Sequence, residues 1–269
     1  GRSAGARGDE ERAARPVGMS AESPVLVVSD LHLDREADAT LDRFLEFLEG
    51  PARQASALYV LGDLFEYWIG DDAGFTAATT VAAALCALPI PITFQHGNRD
   101  FLVGPDYARR ACMTIAPEEL RVDLPVGPTL FLHGDTLCTA DVDYLRFRAL
   151  VRDPSWQRQF LSRPLTERVA EAQRLRAMSE DAGRTKANEI TDVHPDAVAD
   201  VLRRHDLSLL VHGHTHRPAI HALDVDGRPC LRCVLPAWDR LPGYLELTAR
   251  GPRLLTLEGA DYPTAPGRA

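Results

Sequence analysis

The sequence predicts an α/β fold, and three observations carry the prediction. Short, almost wholly apolar runs recur along the chain, each ending abruptly in polar residues. Helical patterns fill the intervals between them. One long stretch, from about 141 to 190, breaks this rhythm and is helical in flavour throughout.

The first run, residues 24–29, shows no polar alternation, which is the pattern of a strand buried on both faces in a parallel sheet. It stops at Asp30, with His32 just beyond. Residues 57–61 lead to Gly62 and Asp63, residues 92–95 to His96, Gly97 and Asn98, and residues 129–132 to His133. Residues 207–211 lead to His212-Gly213-His214-Thr215-His216. Strands that end this way present polar residues at their carboxyl ends, where open α/β sheets hold ligands, and the five are expected to converge on one edge. The glycines at 62, 97, 134 and 213 let the chain turn sharply where it must approach an ion closely.

The polar residues themselves form a donor set: Asp30, His32, Asp63, Asn98, His133, His214 and His216. Mixed oxygen and nitrogen donors suit Mn²⁺, Fe²⁺, Co²⁺ or Zn²⁺ in a working site, whereas a structural zinc site leans on thiolates. Any one of these short patterns recurs by chance; five in order, each closing an apolar run, do not.

Composition excludes several classes. The chain has 269 residues, 45% of them hydrophobic, and no apolar run approaching the roughly 18 needed to cross a bilayer. A net charge of −9 argues against a general nucleic-acid binder. Residues 1–20 lack the apolar centre of a secretory signal and are expected to be a disordered extension, the first 18 of them, rich in Gly, Arg and Ala, upstream of a natural start at Met19. Residues 263–269 are expected to be a short tail. Five cysteines (Cys86, Cys112, Cys138, Cys230, Cys233) at irregular spacing suggest free thiols in a reducing cytoplasm.

Asp-x-His, Gly-Asp, Gly-Asn-Arg-Asp, His-Gly-Asp and Gly-His-x-His, in this order, resemble the calcineurin-like metallophosphoesterases. The longer versions are Ser-Asp-Leu-His-Leu at 29–33, Leu-Gly-Asp-Leu-Phe-Glu-Tyr-Trp-Ile-Gly-Asp-Asp at 61–72, His-Gly-Asn-Arg-Asp-Phe-Leu at 96–102, His-Gly-Asp-Thr-Leu-Cys-Thr at 133–139 and His-Gly-His-Thr-His-Arg-Pro at 212–218. They are similar to the UDP-2,3-diacylglucosamine diphosphatases of lipid A synthesis, over about residues 24 to 250. The resemblance implies a core of two packed β-sheets flanked by helices, built from 21–140 and 190–262, with a helical lid inserted at 141–189.

It also implies that Asp30, His32, Asp63 and His216 hold one metal, that Asp63, Asn98, His133 and His214 hold a second, and that Mn²⁺ is the preferred ion. Two such ions, about 4 Å apart, lower the pKa of a water and clamp the oxygens of an in-line displacement at phosphorus. The implied reaction cleaves UDP-2,3-diacylglucosamine to UMP and 2,3-diacylglucosamine 1-phosphate. Arg99 would neutralise charge on the phosphoryl oxygens; the alternative is a surface salt bridge. Asn98 and His214 would touch substrate as well as metal, and Asp141, Ser179 and Lys186 match residues that contact the head group. Gly183 departs from the family, offering only backbone there. Other phosphoesters of the same fold, or a non-catalytic scaffold that kept it, are the competing readings.

Asp100 and Asp135, next to donors, are expected to orient ligand histidine rings. His212 is open between a core histidine and such a supporting role. His96, His194, His205 and His221 have no comparable context. In the insertion, Arg146, Arg148, Arg152, Arg158, Arg163, Arg168, Arg174 and Arg176 lie beside Trp156, Phe160, Leu161, Leu165, Val169, Leu175 and Met178. This pattern suits a helix lying on an anionic membrane, here the cytoplasmic face of a Gram-negative inner membrane, or else a helical pair packed on the core.

Overall fold

The structure, a computed structural model, describes residues 23–36, 38–185 and 192–263, and of 176–185 the backbone alone. The extension expected over 1–20, with Met19, lies outside these residues, as do Lys186 and all but the first residue of the expected tail. In chain order the first half comprises β1 (Val25–Val28), α1 (Ala39–Glu49), β2 (Ala57–Leu61), α2 (Thr76–Cys86), β3 (Ile92–Gln95), α3 (Pro105–Arg110) and β4 (Met113–Ile115). Next come β5 (Leu120–Leu124), β6 (Gly127–Phe131) and the helices α4 (Val142–Val151), α5 (Pro154–Leu161), α6 (Leu165–Thr185) and α7 (Pro195–His205). The chain then forms β7 (Leu209–His212), β8 (Ala219–Val225), β9 (Arg228–Val234), β10 (Gly243–Thr248) and β11 (Gly251–Thr256).

The strands make two sheets. The first has the order β11-β10-β1-β2-β3-β4, with β1 to β4 parallel and β10 antiparallel to β1. The second has the order β5-β6-β7-β9-β8, with β6, β7 and β9 parallel. The continuous apolar character of β1 follows from this layering. Val25 and Val27 join Leu61, Phe131, Val211 and Leu245 in the cluster between the sheets. Leu26 and Val28 belong to the opposite cluster, with Phe44 and Phe47 of α1 and Val81 and Leu85 of α2. On the far face, Leu130, Leu132 and Leu210 meet Val198, Val201 and Leu202 of α7. The resulting order is helix, sheet, sheet, helix. The expectation of a single converging edge is therefore corrected: β1, β2 and β3 end in one sheet and β6 and β7 in the other, so the polar residues gather across the seam between them.

The insertion separates β6 from α7 and β7. Asp141 caps α4 by accepting from the Tyr144 amide (3.1 Å), and Asp153 caps α5 ahead of Pro154. Phe160 is 3% exposed and lies in the same cluster as α1 and α2; Trp156, Leu165 and Val169 pack against it. Most of the apolar stripe expected to face a membrane is thus core. Among the described residues of the insertion, the exposed large apolar ones are Val142, Phe147 and Leu150 on α4 together with Leu161. Among the described residues, three of the arginines expected on a solvated basic face anchor the insertion instead. Arg148 and Arg152 pair with Asp135 and Glu118, and buried Arg168 pairs with Asp72.

The expectation of five free thiols is also corrected. Cys86, at the end of α2, and Cys112, just before β4, form a disulfide with their Cα atoms 4.7 Å apart. Cys138, Cys230 and Cys233 are free and buried. Their spacing in sequence carried no trace of this pairing, because it depends on how α2 and α3 pack.

Candidate metal centre

Backbone pairing carries on past the strands. The amides of Asp30, His32 and Leu33 donate to the carbonyls of Gly62, Asp63 and Leu64 (3.1, 2.9 and 3.0 Å), so the two segments that follow β1 and β2 run side by side. Five of the seven donors have left-handed backbones: Asp30 (φ 55°), His32 (52°), Asp63 (52°), His214 (66°) and His216 (54°). Each such conformation costs a non-glycine residue on the order of 1–2 kcal/mol, a load that gathers where a site over-determines its geometry. Close approach adds a second constraint. A Cβ at Gly97 would overlap the Asp63 carboxylate, and one at Gly213 would overlap that of Asp30.

Each donor is aimed by a specific bond. Asp63 Oδ1 accepts from the Arg99 amide (2.8 Å), which turns Oδ2 toward His32 Nε2 (3.9 Å) and His133 Nε2 (3.7 Å). Asp30 accepts from the His214 amide, and its Oδ1 lies 3.4 Å from His216 Nε2 and 4.0 Å from His32 Nε2. His133 Nδ1 donates to the Leu61 carbonyl (2.8 Å), leaving Nε2 to face inward. Asn98 Oδ1 lies 2.9 Å from both His133 Nε2 and His214 Nδ1. All seven predicted donors therefore meet. Ligating atoms of Asp30, His32 and His216 fall within 4.8 Å of one another, and so do those of Asp30, Asp63 and His133.

The chemistry of this set fits a divalent cation. Buried carboxylates face imidazole nitrogens, His32 Nε2 lies 3.3 Å from His216 Nε2, and one amide oxygen serves two rings: acceptors turned toward acceptors, an arrangement that positive charge resolves. Charge interactions say the same. Burial alone would push the Asp30 carboxyl up, but the His216 bond and the neighbouring imidazoles hold it well below the usual carboxylate range. Burial opposes charge on His32, yet Glu66, Asp63 and Asp30 raise it to about 9. Burial, reinforced by His133, pushes His214 down to about 4. Carboxylates that draw a proton onto buried His32 have negative charge left to neutralise.

The expectation for the two neighbouring acids is corrected. Asp100 accepts from the amides of Leu64, Phe65 and Gly97 (2.8, 3.4 and 2.8 Å), fixing the backbone of two donor loops. Asp135 accepts from Tyr144 Oη (2.5 Å) and Arg148 Nε (2.7 Å), tying α4 to the loop that carries His133. Neither hydrogen-bonds a donor imidazole. The ring of His32 is instead flanked by Glu66, whose Oε2 is 3.0 Å from Nδ1. Glu66 was not singled out from the sequence; its signal is that it is the lone charge in the apolar run between Asp63 and Asp71.

His212 is a neutral core histidine, wholly buried, bonded to the Gly213 carbonyl (2.8 Å) and pushed down to about 3 by burial and by Arg232. Of the other histidines, His96 bonds the Val103 carbonyl, His205 pairs with Glu119, and His194 caps α7. Arg99 is partly exposed beside Asn98, with Nη1 3.8 Å from Glu66 Oε1. Asp141 sits at the start of α4, while Ser179 and Gly183 lie on α6, where only the backbone is described.

A model of the calcineurin-like phosphoesterases matches residues 23–218. The UDP-2,3-diacylglucosamine hydrolase of Stenotrophomonas maltophilia K279a is 48% identical over 242 residues, covering 86% of this chain and 98% of the relative. That of Klebsiella pneumoniae is 51% identical over 226 residues, covering 83% and 94%. Among solved structures, a zinc-complexed Vps29 from Entamoeba histolytica aligns over 89% of this chain and 96% of its own, at 15% identity and a TM-score of 0.44.

Proposed function

The chain belongs to the UDP-2,3-diacylglucosamine hydrolases of the calcineurin-like phosphoesterase family, and from that premise we propose that it cleaves the pyrophosphate of UDP-2,3-diacylglucosamine, releasing UMP and 2,3-diacylglucosamine 1-phosphate for lipid A synthesis. The observation that carries this reading is the convergence of seven oxygen and nitrogen donors, from five loops across two sheets, at one point.

Asp30, His32, Asp63 and His216 would hold one ion and Asp63, Asn98, His133 and His214 a second. Bound there, two divalent ions would activate a water and neutralise charge on the phosphoryl oxygens. Mn²⁺ suits a mixed carboxylate, amide and imidazole set; Fe²⁺, Co²⁺ and Zn²⁺ suit it too. The protein's own part is orientation. Asn98 and His214 border the place where the phosphoryl group would lie. Arg99, whose backbone amide already fixes Asp63, offers a planar fork to the oxygens that gain charge as the bond to the departing phosphate lengthens. By the family resemblance, Asp141, Ser179, Gly183 and Lys186 would meet the head group, with the insertion at 141–189 as a lid over the site; Lys186 lies outside the described residues.

No helix is long and apolar enough among the described residues to cross a membrane. We infer peripheral contact with the cytoplasmic face of the inner membrane, supported by Val142, Phe147 and Leu150 standing exposed on α4 beside Arg146. The test is phosphorus NMR and mass spectrometry of the products from UDP-2,3-diacylglucosamine, with Mn²⁺ or with EDTA, against bis-p-nitrophenyl phosphate. UMP released from the lipid only with metal is the expected result. Turnover of the soluble ester alone would keep a metal-dependent phosphoesterase and discard this substrate.

A further inference from the structure

We propose that Glu66 is a positioning residue that serves both halves of the reaction centre, fixing the His32 ring through Nδ1 and steering the Arg99 guanidinium with its other oxygen. The inference rests on the reading of His32 as a metal ligand and of Arg99 as the phosphoryl-facing cation.

The Glu66 amide donates to the Leu33 carbonyl (3.0 Å), so its backbone is bound to the segment that carries His32. Its side chain is 13% exposed and lies between two cationic or potentially cationic groups: Oε2 is 3.0 Å from His32 Nδ1, and Oε1 is 3.8 Å from Arg99 Nη1. His32 Nδ1 and Arg99 Nε are both buried and make no well-directed hydrogen bond. The buried His32 Nδ1 beside this carboxylate is an expensive arrangement unless the carboxylate meets it, because an unsatisfied buried N–H costs about 1–3 kcal/mol, and the same carboxylate is the anion next to the Arg99 guanidinium.

The requirement at His32 is specific. Its Nε2 faces Asp30 and Asp63. For that nitrogen to offer a lone pair to a cation, the ring proton must sit on Nδ1, and a carboxylate against Nδ1–H fixes both the tautomer and the ring plane. The requirement at Arg99 is different. Arg99 lies beside Asn98 at the rim, with a quarter of its side chain exposed, and a long cationic side chain so placed samples many rotamers unless a nearby anion narrows them. One residue thereby links the geometry of the metal to the geometry of the arginine.

The experiment compares wild type with E66Q, E66A, R99A and E66A/R99A, reading Mn²⁺ affinity by equilibrium dialysis and kcat and KM on the lipid at saturating Mn²⁺. E66A is expected to bind Mn²⁺ about 10- to 100-fold more weakly and, when saturated, to lose about tenfold or more in kcat with little change in KM. E66Q retains an acceptor for Nδ1 but not the charge. It should keep most of the affinity and still lose kcat. The double variant should turn over no more slowly than R99A when saturated. Wild-type Mn²⁺ affinity and kcat in E66A would overturn the proposal, and a multiplicative loss in E66A/R99A would overturn its arginine half. Wild-type protein that binds Mn²⁺ but leaves the lipid intact would discard the substrate reading, while the affinity comparison would still decide the role of Glu66. Melting temperatures in EDTA establish that the variants fold, and E66Q, nearly isosteric, decides the matter if E66A does not.

Discussion

Asp63 has one oxygen occupied by the Arg99 amide and the other turned to histidines that follow strands of different sheets. In Asp63→Asn the amide oxygen would take the Arg99 bond, leaving the NH₂ to face His32 and His133, where it can only repel a cation. Turnover should drop by at least about 100-fold, with the melting temperature in EDTA within a few degrees of wild type; near-normal turnover would remove Asp63 from its bridging role. His212 makes a different prediction. Its folded form resists protonation down to about pH 3, whereas an unfolded histidine takes up a proton near 6.5. The unfolded state therefore binds more protons between those values, and stability falls as pH drops through that window, by about 1.4 kcal/mol per unit for one proton. His214, pushed down to about 4, adds to the same trend, while His32, raised to about 9, contributes stability below 6.5 that is lost as pH rises through 9. Urea unfolding in EDTA at pH 6.5 and 5 should show a shallower loss for His212→Gln than for wild type. The convergence of the seven candidate donors was legible in the sequence because they follow directly on apolar runs. Glu66, Tyr144 and Arg148 were not, because their roles exist only through partners that folding brings to them.

At the scale of elements, α4 is held by more than its own cap. Arg148, 15% exposed, pairs with Asp135, which is 3% exposed, and with Glu118, while Arg152 Nη2 donates to the Gly97 carbonyl (2.9 Å). Removing Arg148 would leave the buried Asp135 charge with Tyr144 as its remaining bonded side chain, at a cost of about 3 kcal/mol. Arg148→Ala should lower the melting temperature and speed amide hydrogen exchange across 142–151. Arg146 offers the control, since its pair with Asp143 is wholly solvated (77% and 88% exposed) and Arg146→Ala should change neither. Strands β1, β2, β3, β6 and β7 were readable because each carries a mostly apolar, mostly buried run up to its polar end. Strand β8 was not: it alternates half-buried and exposed positions and carries His221 and Asp224. The grouping of strands into two sheets was beyond local pattern too, since β10 joins β1 from across most of the chain. The arginine-rich stripe misled for a related reason. Trp156 and Phe160 at helical spacing read equally well as a membrane face or a core face, and only the position of α1 and α2 decides between them.

For the molecule as a whole, the donors bridge the sheets, so an ion held there should act as a clasp between them. Mn²⁺ at about 100 times its Kd should stabilise the fold by about 2.7 kcal/mol, seen as a rise in melting temperature that EDTA reverses and that Asp63→Asn largely lacks. The same geometry has a consequence for biosynthesis. His32 and His216 face each other across 184 residues of sequence. At typical elongation rates of 5–20 residues per second, roughly 10–40 s separate the synthesis of the two. No nascent chain shorter than this can close the site, and the flank of β1 stays uncovered until β10 has been made. The site is therefore completed only late in synthesis, and any ion it holds should be acquired by a nearly finished chain.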